Sequence, residues 1–390
     1  IKVYMNKKIA ILGSTGSIGK TTLNSISSDK RFKVQILAAN KNAKKLLEQA
    51  ISFNVKDVFI QDLKIYNIYK IKFKKKKIRL HHDLKNINII LKKKIDFCIN
   101  AISGIDGLEP TLKIIPFTKN ILISNKESLI CGWHLIKKKL LFHKTNFIPI
   151  DSEHFSIWKL IKYENQNLIE KIILTASGGP FLKINQKKIF NIKPNLALKH
   201  PNWKMGKKIS IDSATLMNKV FEVIEAKNIF GVDYKKISIL THPKSYLHAI
   251  IKFKNGMVKL LIHEPDMKIP IFNSIYQTNN RFMKTNNLDL SILNNLNLKE
   301  VDIKKFFLVK LLNKLPKNSS LFETVLVTIN DHLVYKFLEK KINFKDLMKL
   351  IYKYSNLKEF QKYKKISPKN VDEIYNLRNY VSLKLDTLGI

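Results

Sequence analysis

Asp151-Ser152-Glu153-His154 follows directly on the apolar run Asn146–Ile150. On an extended backbone, Asp151 and Glu153 point to one side, two residues apart. They also stand at the carboxyl end of a predicted strand, where open α/β sheets hold their ligands. With a third carboxylate from elsewhere they would form a hard-oxygen site suited to Mg²⁺ or Mn²⁺ rather than zinc. In isolation, the tetrapeptide reads as a solvated acidic turn. It is not isolated. Ser210 to Glu225 reads as one helix opened by a small polar residue, on which Asn218, Glu222 and Glu225 share a face at i, i+4 and i+7. Lys219 borders that face. Ser213 near the helix start, an amide and a lysine form a natural phosphate pocket, with Glu222 available as the third metal ligand. Thr175-Ala-Ser177-Gly-Gly-Pro180 adds a serine in a glycine-flexed loop suited to phosphate oxygens. His200-Pro-Asn-Trp203-Lys-Met-Gly206 reads either as a surface staple or, more sharply, as a lid that covers substrate with an aromatic ring and a histidine.

A second chemistry stands near the start. Lys8-Ile-Ala-Ile-Leu12 runs into Gly13-Ser-Thr15-Gly16-Ser17-Ile18-Gly19 and then a helical stretch. Strand, glycine turn and helix come in the order a dinucleotide pyrophosphate needs, with backbone N–H groups and the positive helix end facing the anion. A glycine triplet alone is weak; its strand context strengthens it. NAD sites place an acid at the end of the second strand, whereas this chain has Ala39-Asn40-Lys41-Asn42 there. A lysine flanked by amides pairs with a 2′-phosphate, which favours NADP.

These groups need a scaffold. Lys8–Gly13, Phe32–Ala39, Lys56–Gln61, Ile95–Ala101, Asn120–Ser124 and Asn146–Ile150 alternate with helical stretches and predict a parallel, doubly wound, Rossmann-like sheet over residues 1–150. Residues 151–276 read as a second α/β unit with a partly antiparallel sheet, carrying Lys171–Thr175, Ile237–His242, His248–Phe253 and Gly256–His263. Asn-rich residues 277–301 read as a linker, and 302–390 as a small helical domain. The fold class expected is therefore α/β, with a C-terminal helical part.

Bulk properties narrow the function. The 390 residues are 45% hydrophobic, enough for sizeable cores and too much for disorder. No apolar run reaches membrane-span length, and Ile1 to Ile9 is too short and polar for a secretory signal. A reducing cytoplasm, or an organelle interior after loss of a transit peptide, fits two cysteines, Cys98 and Cys131. The net charge of +41 is spread along the chain with an Ile and Asn excess, as a coding bias would leave it. The runs Lys72–Arg79 and Lys92–Lys94 lack interleaved aromatics, so specific nucleic-acid binding is not expected.

Together, Gly13–Gly19, Asn125-Lys-Glu-Ser128, Asp151-Ser-Glu-His154, Ser177-Gly-Gly-Pro-Phe181, His200-Pro-Asn-Trp203, Ser213-Ala-Thr with Asn218-Lys219 and Glu222, and Glu264-Pro-Asp-Met267 resemble the 1-deoxy-D-xylulose 5-phosphate reductoisomerase family. The motifs run in family order from about Ile9 to Ile271, and Asn330-Asp331 resembles an Asn-Glu pair further on. The resemblance implies an NADPH-dependent enzyme on the non-mevalonate route to isoprenoid precursors. It implies a homodimer and a phosphorylated sugar substrate. Asp151, Glu153 and Glu222 would bind Mg²⁺ or Mn²⁺, with Co²⁺ a further option. Lys126 and Ser152 would meet the substrate's hydroxyl end, and Ser177, His200, Ser213, Asn218 and Lys219 its phosphate. Trp203 would close over it. Cofactor contacts would come from Thr15, Gly16, Ser17, Ile18, Asn40, Lys41, Asn42, Asn125, Glu127 and Gly206. Four departures bear on efficiency: Asn40 for a glycine, where Asn tolerates left-handed backbone; Val220-Phe221 for Gly-Leu; Ala176 for a glycine; and His263 for a glycine.

Two rivals make different demands. A semialdehyde dehydrogenase opens with a similar glycine turn but needs a nucleophilic cysteine. A basic nucleic-acid binder on a degenerate Rossmann scaffold needs salt-dependent DNA binding and no metal.

Overall fold

The computed structural model describes residues 6–85, 87–185, 189, 192–203, 205–277, 281–287 and 289–389. Lys204 of the lid segment, the chain start at 1–5 and positions 278–280 and 288 of the expected linker lie outside them. The chain divides into two compact units: 1–128 with 134–151 and 267–284, and 129–133 with 152–266 and 285–390.

The first unit is a seven-stranded sheet in the order β4-β3-β2-β1-β5-β6-β7. Its strands are β1 (Lys7–Leu12), β2 (Phe32–Ala39), β3 (Asp57–Ile60), β4 (Arg79–His81), β5 (Ile95–Asn100), β6 (Thr118–Ile123) and β7 (Asn146–Pro149). Every pairing is parallel. Near-continuous burial along β1, β3 and β5 follows from helices covering both faces. Strand order reverses between β1 and β5, which puts a ligand crevice at the carboxyl end of β1. β4 was not expected. Arg79 follows a lysine run that reads as solvated surface, but its guanidinium grips the buried Asp57 of β3 at 2.7 and 2.6 Å. That pairing sets a strand too short to announce itself by alternation.

Segment 267–284 belongs to this unit rather than to the stretch before it. Helix Lys268–Ile275 packs on helix Ser17–Ile26. Beyond it, Tyr276 Oη donates to Asp29 at 3.0 Å, and Arg281 and Arg31 pair with the same carboxylate at 3.0 and 2.8 Å.

The second unit holds a five-stranded mixed sheet in the order β11-β10-β8-β9-β12. The strands are β8 (Ile169–Ala176), β9 (Ile237–Thr241), β10 (Leu247–Phe253), β11 (Val258–Ile262) and β12 (Lys299–Glu300). β8 and β9 run parallel and the other pairs antiparallel, as the sequence suggests. Ile157 and Ile161 of helix Ser152–Ile161, with Val223 and Ala226 of helix Met217–Phe230, pack on Ile172, Leu174, Ile251 and Phe253. The stretch read as a linker carries helix Leu290–Asn294 and β12, which pairs with β9. Helices Phe322–Leu338, Phe344–Ser355 and Val371–Thr387 follow in the same unit, with Phe344 edge-on to both Phe181 and Phe337. Among the described residues no helix is long and apolar enough to cross a membrane.

Candidate active site

In the first unit, β1 ends in a turn that only glycine can make. Gly13 has φ +80°, and a Cβ there would lie 2.5 Å from Ala101 O. Gly19 sits inside helix Ser17–Ile26, where a Cβ would fall 2.5 Å from Gly13 O. Gly13 N and Ser14 N both donate to Ala38 O, at 2.9 and 2.8 Å. No side chain caps the helix at Gly16, so first-turn N–H groups remain for an anion. Gln49, which nothing in the sequence marks, braces the loop: it accepts from Ser14 Oγ at 2.8 Å and donates to Ser14 O at 2.9 Å.

At the end of β2, Asn42 accepts from Lys45 N at 3.1 Å and caps helix Ala43–Ser52. Asn40 does not use the left-handed backbone its replacement of glycine suggested; its φ is not positive. Lys41 is exposed and lies 3.7 Å from Asp62. Asn125 Nδ2 donates to Ile102 O and Gly104 O while its Oδ1 accepts from Ser128 N, so it ties the loop after β5 to the helix that opens at Lys126. Glu127 stands half-buried in that first turn. Lys126 is buried and pairs with Asp151 at 2.5 Å.

In the second unit, helix Ser152–Ile161 starts immediately after Asp151. Glu153 is therefore helical, and the extended alternation expected for Asp151 and Glu153 does not hold. Ser152 Oγ donates to Glu153 Oε2 at 2.7 Å, and Lys219 Nζ meets Glu153 Oε1 at 2.6 Å. The same ammonium pairs with Glu222, which also accepts from Asn218 Nδ2. Burial depresses the Lys219 pKa, but the charges of Glu153 and Glu222 and their hydrogen bonds outweigh it and leave it raised. Buried His154 donates to Glu222 O at 2.9 Å and so ties helix Ser152–Ile161 to the helix that carries Glu222.

The expected single helix is two. Lys207–Thr215 ends at Leu216, whose φ is +58°, and Met217–Phe230 begins there. Ser213 thus lies in the last turn of the first helix, not at a helix start, while Asn218, Glu222 and Glu225 keep their shared face on the second. Buried Leu216 packs with Ala176 and Phe306, which holds the left-handed break in place. Val220 and Phe221 are fully buried, so their bulk goes into the core. Lys208 bridges Asp212 and Asp331 at 3.0 and 2.9 Å, and Asn330 donates to Asp212 at 2.8 Å. The Asn330-Asp331 pair therefore braces the first of these helices.

Gly178 and Gly179 both have positive φ, and a Cβ on Gly179 would lie 2.8 Å from Ser213 O, which seats the Ser177 loop against Ser213. Ser177 Oγ meets His200 Nε2 at 3.0 Å and accepts from Gly179 N at 3.0 Å. His200 Nδ1 accepts from Trp203 N at 3.0 Å and Asn202 N at 3.2 Å. Burial lowers the His200 pKa to about 4. The sequence also left Asn202 and His248 unassigned. Asn202 Nδ2 donates to Pro243 O and Ser245 Oγ, both at 2.7 Å, and pins the segment. Half-buried Trp203 sits edge-on to His248, which stacks on His263 with ring centroids 3.8 Å apart. Gly206 is exposed and caps helix Lys207–Thr215. Both cysteines are buried, and burial alone pushes the Cys98 thiol far up, away from nucleophilic use.

The glycine cradle fits a dinucleotide, and two carboxylates meeting one buried ammonium fit a cation bound by hard oxygens. Comparison with known proteins agrees. Family models described as 1-deoxy-D-xylulose 5-phosphate reductoisomerase and its C-terminal domains match residues 9–132, 147–230 and 262–381. A relative from Pelagibacter ubique, named 1-deoxy-D-xylulose 5-phosphate reductoisomerase, is 54% identical over 98% of this chain and 100% of its own length. One of the same name from a Sulfurihydrogenibium species is 39% identical over 94% of each. Among solved structures, the Zymomonas mobilis reductoisomerase in complex with NADPH superposes with a TM-score of 0.86 at 30% identity, covering 98% of both chains. A DOX-P reductoisomerase with NADPH, fosmidomycin and magnesium gives 0.89 at 30% identity over the same share of each.

Proposed function

This chain belongs to the 1-deoxy-D-xylulose 5-phosphate reductoisomerase family, and from that premise we propose that it converts 1-deoxy-D-xylulose 5-phosphate to 2-C-methyl-D-erythritol 4-phosphate with NADPH and a divalent metal. The observation that carries this reading is the buried Lys219 ammonium between the Glu153 and Glu222 carboxylates.

Asp151, Glu153 and Glu222 would hold Mg²⁺ or Mn²⁺, with Co²⁺ also within the range of an all-oxygen donor set. When bound, the metal polarises the substrate's ketone and neighbouring hydroxyl for carbon–carbon rearrangement, and NADPH supplies the hydride. Lys126 and Ser152 orient the hydroxyl end. Ser177, His200, Ser213, Asn218 and Lys219 anchor the phosphate, and Trp203 excludes water over the reacting carbons. Thr15, Gly16, Ser17, Ile18, Asn40, Lys41, Asn42, Asn125, Glu127 and Gly206 line the cofactor. The product would feed isoprenoid precursors in the cytoplasm. A homodimer is proposed with it; the edge strand β11 turns Val258 and Leu260 outward, 52% and 43% exposed, as a strand covered by a second copy would.

The test follows NADPH oxidation with substrate and Mg²⁺, then with a chelator and with Glu222→Gln. Activity should vanish with the chelator and fall in the variant by more than the ~10–100-fold that outer-shell changes cost at metal sites. A folded protein that binds NADPH yet oxidises none in the presence of substrate and metal would sink the reading.

A further inference from the structure

The corner that reads the adenosine ribose contains an acid as well as a lysine. β2 and β3 are parallel neighbours, with Ala39 opposite Ile60. Past their ends the two chains stay joined: Gln61 N donates to Ala39 O at 3.1 Å, and Asp62 N to Asn40 O at 3.2 Å. Asp62 therefore stands directly across from Asn40-Lys41, and its carboxylate lies 3.7 Å from Lys41 Nζ. The other duty of that carboxylate is to accept from Ile65 N at 3.0 Å as the cap of helix Leu63–Lys75. The Ile65 hydrogen bond first, and the Lys41 charge after it, hold its pKa below the usual value, so it is ionised at neutral pH.

Where the second strand ends in an acid, that acid takes the ribose 2′-hydroxyl of an unphosphorylated dinucleotide. Here the second strand ends in an amide and a lysine, and the acid sits one strand over on the same edge. Lysine attracts a 2′-phosphate. Asp62 repels that phosphate and competes with it for the lysine. We infer that Asp62 is a specificity-determining residue that weakens the preference for the 2′-phosphorylated dinucleotide over its 2′-hydroxyl counterpart. The inference rests on the glycine turn being the NADPH site.

The experiment measures dissociation constants of NADPH and NADH for the full chain by nicotinamide fluorescence, without substrate or turnover. It compares the unaltered protein with Asp62→Asn and Asp62→Ser, both of which keep a side-chain oxygen able to cap the helix. Removing the acid should tighten NADPH by roughly two- to fivefold, the range of an exposed charge pair, and should leave NADH unchanged or weaker. The gain should shrink at high salt. NADPH binding that is unchanged or weaker in both variants overturns the inference. Equal tightening of both dinucleotides also overturns it, because the acid would then act on the shared pyrophosphate. An unaltered protein that binds neither dinucleotide would instead overturn the NADPH reading itself.

Discussion

At the Ser177 loop, one histidine's protonation state fixes what its neighbour can do. His200 Nδ1 accepts two backbone N–H groups, so the ring's single proton is on Nε2 and goes to Ser177 Oγ. Ser177 Oγ takes a second bond from Gly179 N. A hydroxyl whose two lone pairs are both engaged has only its own proton left to give, which suits an anionic oxygen and not a cation. Ser177→Ala should therefore act mainly on substrate binding. We expect KM to rise and kcat/KM to fall by roughly 10- to 100-fold, in line with losing a hydrogen bond to a charged group worth about 1.5–3 kcal/mol. Steady-state kinetics with NADPH saturating would decide it; an unchanged KM would remove Ser177 from the phosphate site. With the His200 pKa near 4, its donor role should not change across neutral pH.

At the scale of elements, the sequence was most readable where a local rule sufficed. Phe32–Ala39 forms β2 over those same residues, and the glycine turn sits where the strand and helix pattern put it. Non-local decisions were not readable. The helix break at Leu216 puts a bulky residue in left-handed backbone against propensity, held by packing with Ala176 and Phe306. The start of helix Ser152–Ile161 moved Glu153 off the extended line assumed for it, and β4 depends on a carboxylate 22 residues earlier in the chain. Gln49, Asn202 and Asp62 escaped notice because ordinary polar residues acquire their roles only from what the fold brings to them. Gly19 belongs to the readable class and yields a sharp expectation. Its φ is ordinary, so alanine meets no backbone strain, but its Cβ would fall 2.5 Å from both Gly13 O and Ser14 Cα and 2.7 Å from Ser14 C. Because those contacts are to backbone, the turn itself must shift. Gly19→Ala should weaken NADPH binding by at least about tenfold, since a cradle of N–H donors depends on its geometry, while far-UV circular dichroism stays native. Unaltered NADPH affinity would mean that the turn is not the pyrophosphate site.

Over the whole molecule, a net charge of +41 at neutral pH sets conditions that no single contact can offset. Like charges repel across the folded surface more than across the expanded chain, so compaction is opposed, and salt relieves that opposition within a Debye length of about 10 Å at 0.1 M. The melting temperature should therefore rise as sodium chloride is added, in buffers free of phosphate and sulfate that could occupy the anion sites. Acid should act in the opposite direction through two groups. Burial holds His200 at about 4 and His248 at about 3, the latter helped by the neighbouring His263 charge. In the unfolded chain both protonate near 6.5. Between those values the unfolded state binds more protons, so their contribution is intact above about pH 6.5 and is lost progressively as pH falls toward the folded values. Asp29, held low by Arg31, loses its contribution only further down, through the carboxylate range. Each step also adds positive charge to a molecule that already has too much. Melting curves from pH 7.5 to 5 at low and high salt would separate the effects. The acid slope should persist in high salt if the buried histidines cause it, and should flatten in His200→Asn. A slope abolished by salt alone would assign the loss to surface repulsion, and a melting temperature indifferent to salt would show that the lysines are spaced widely enough not to oppose folding.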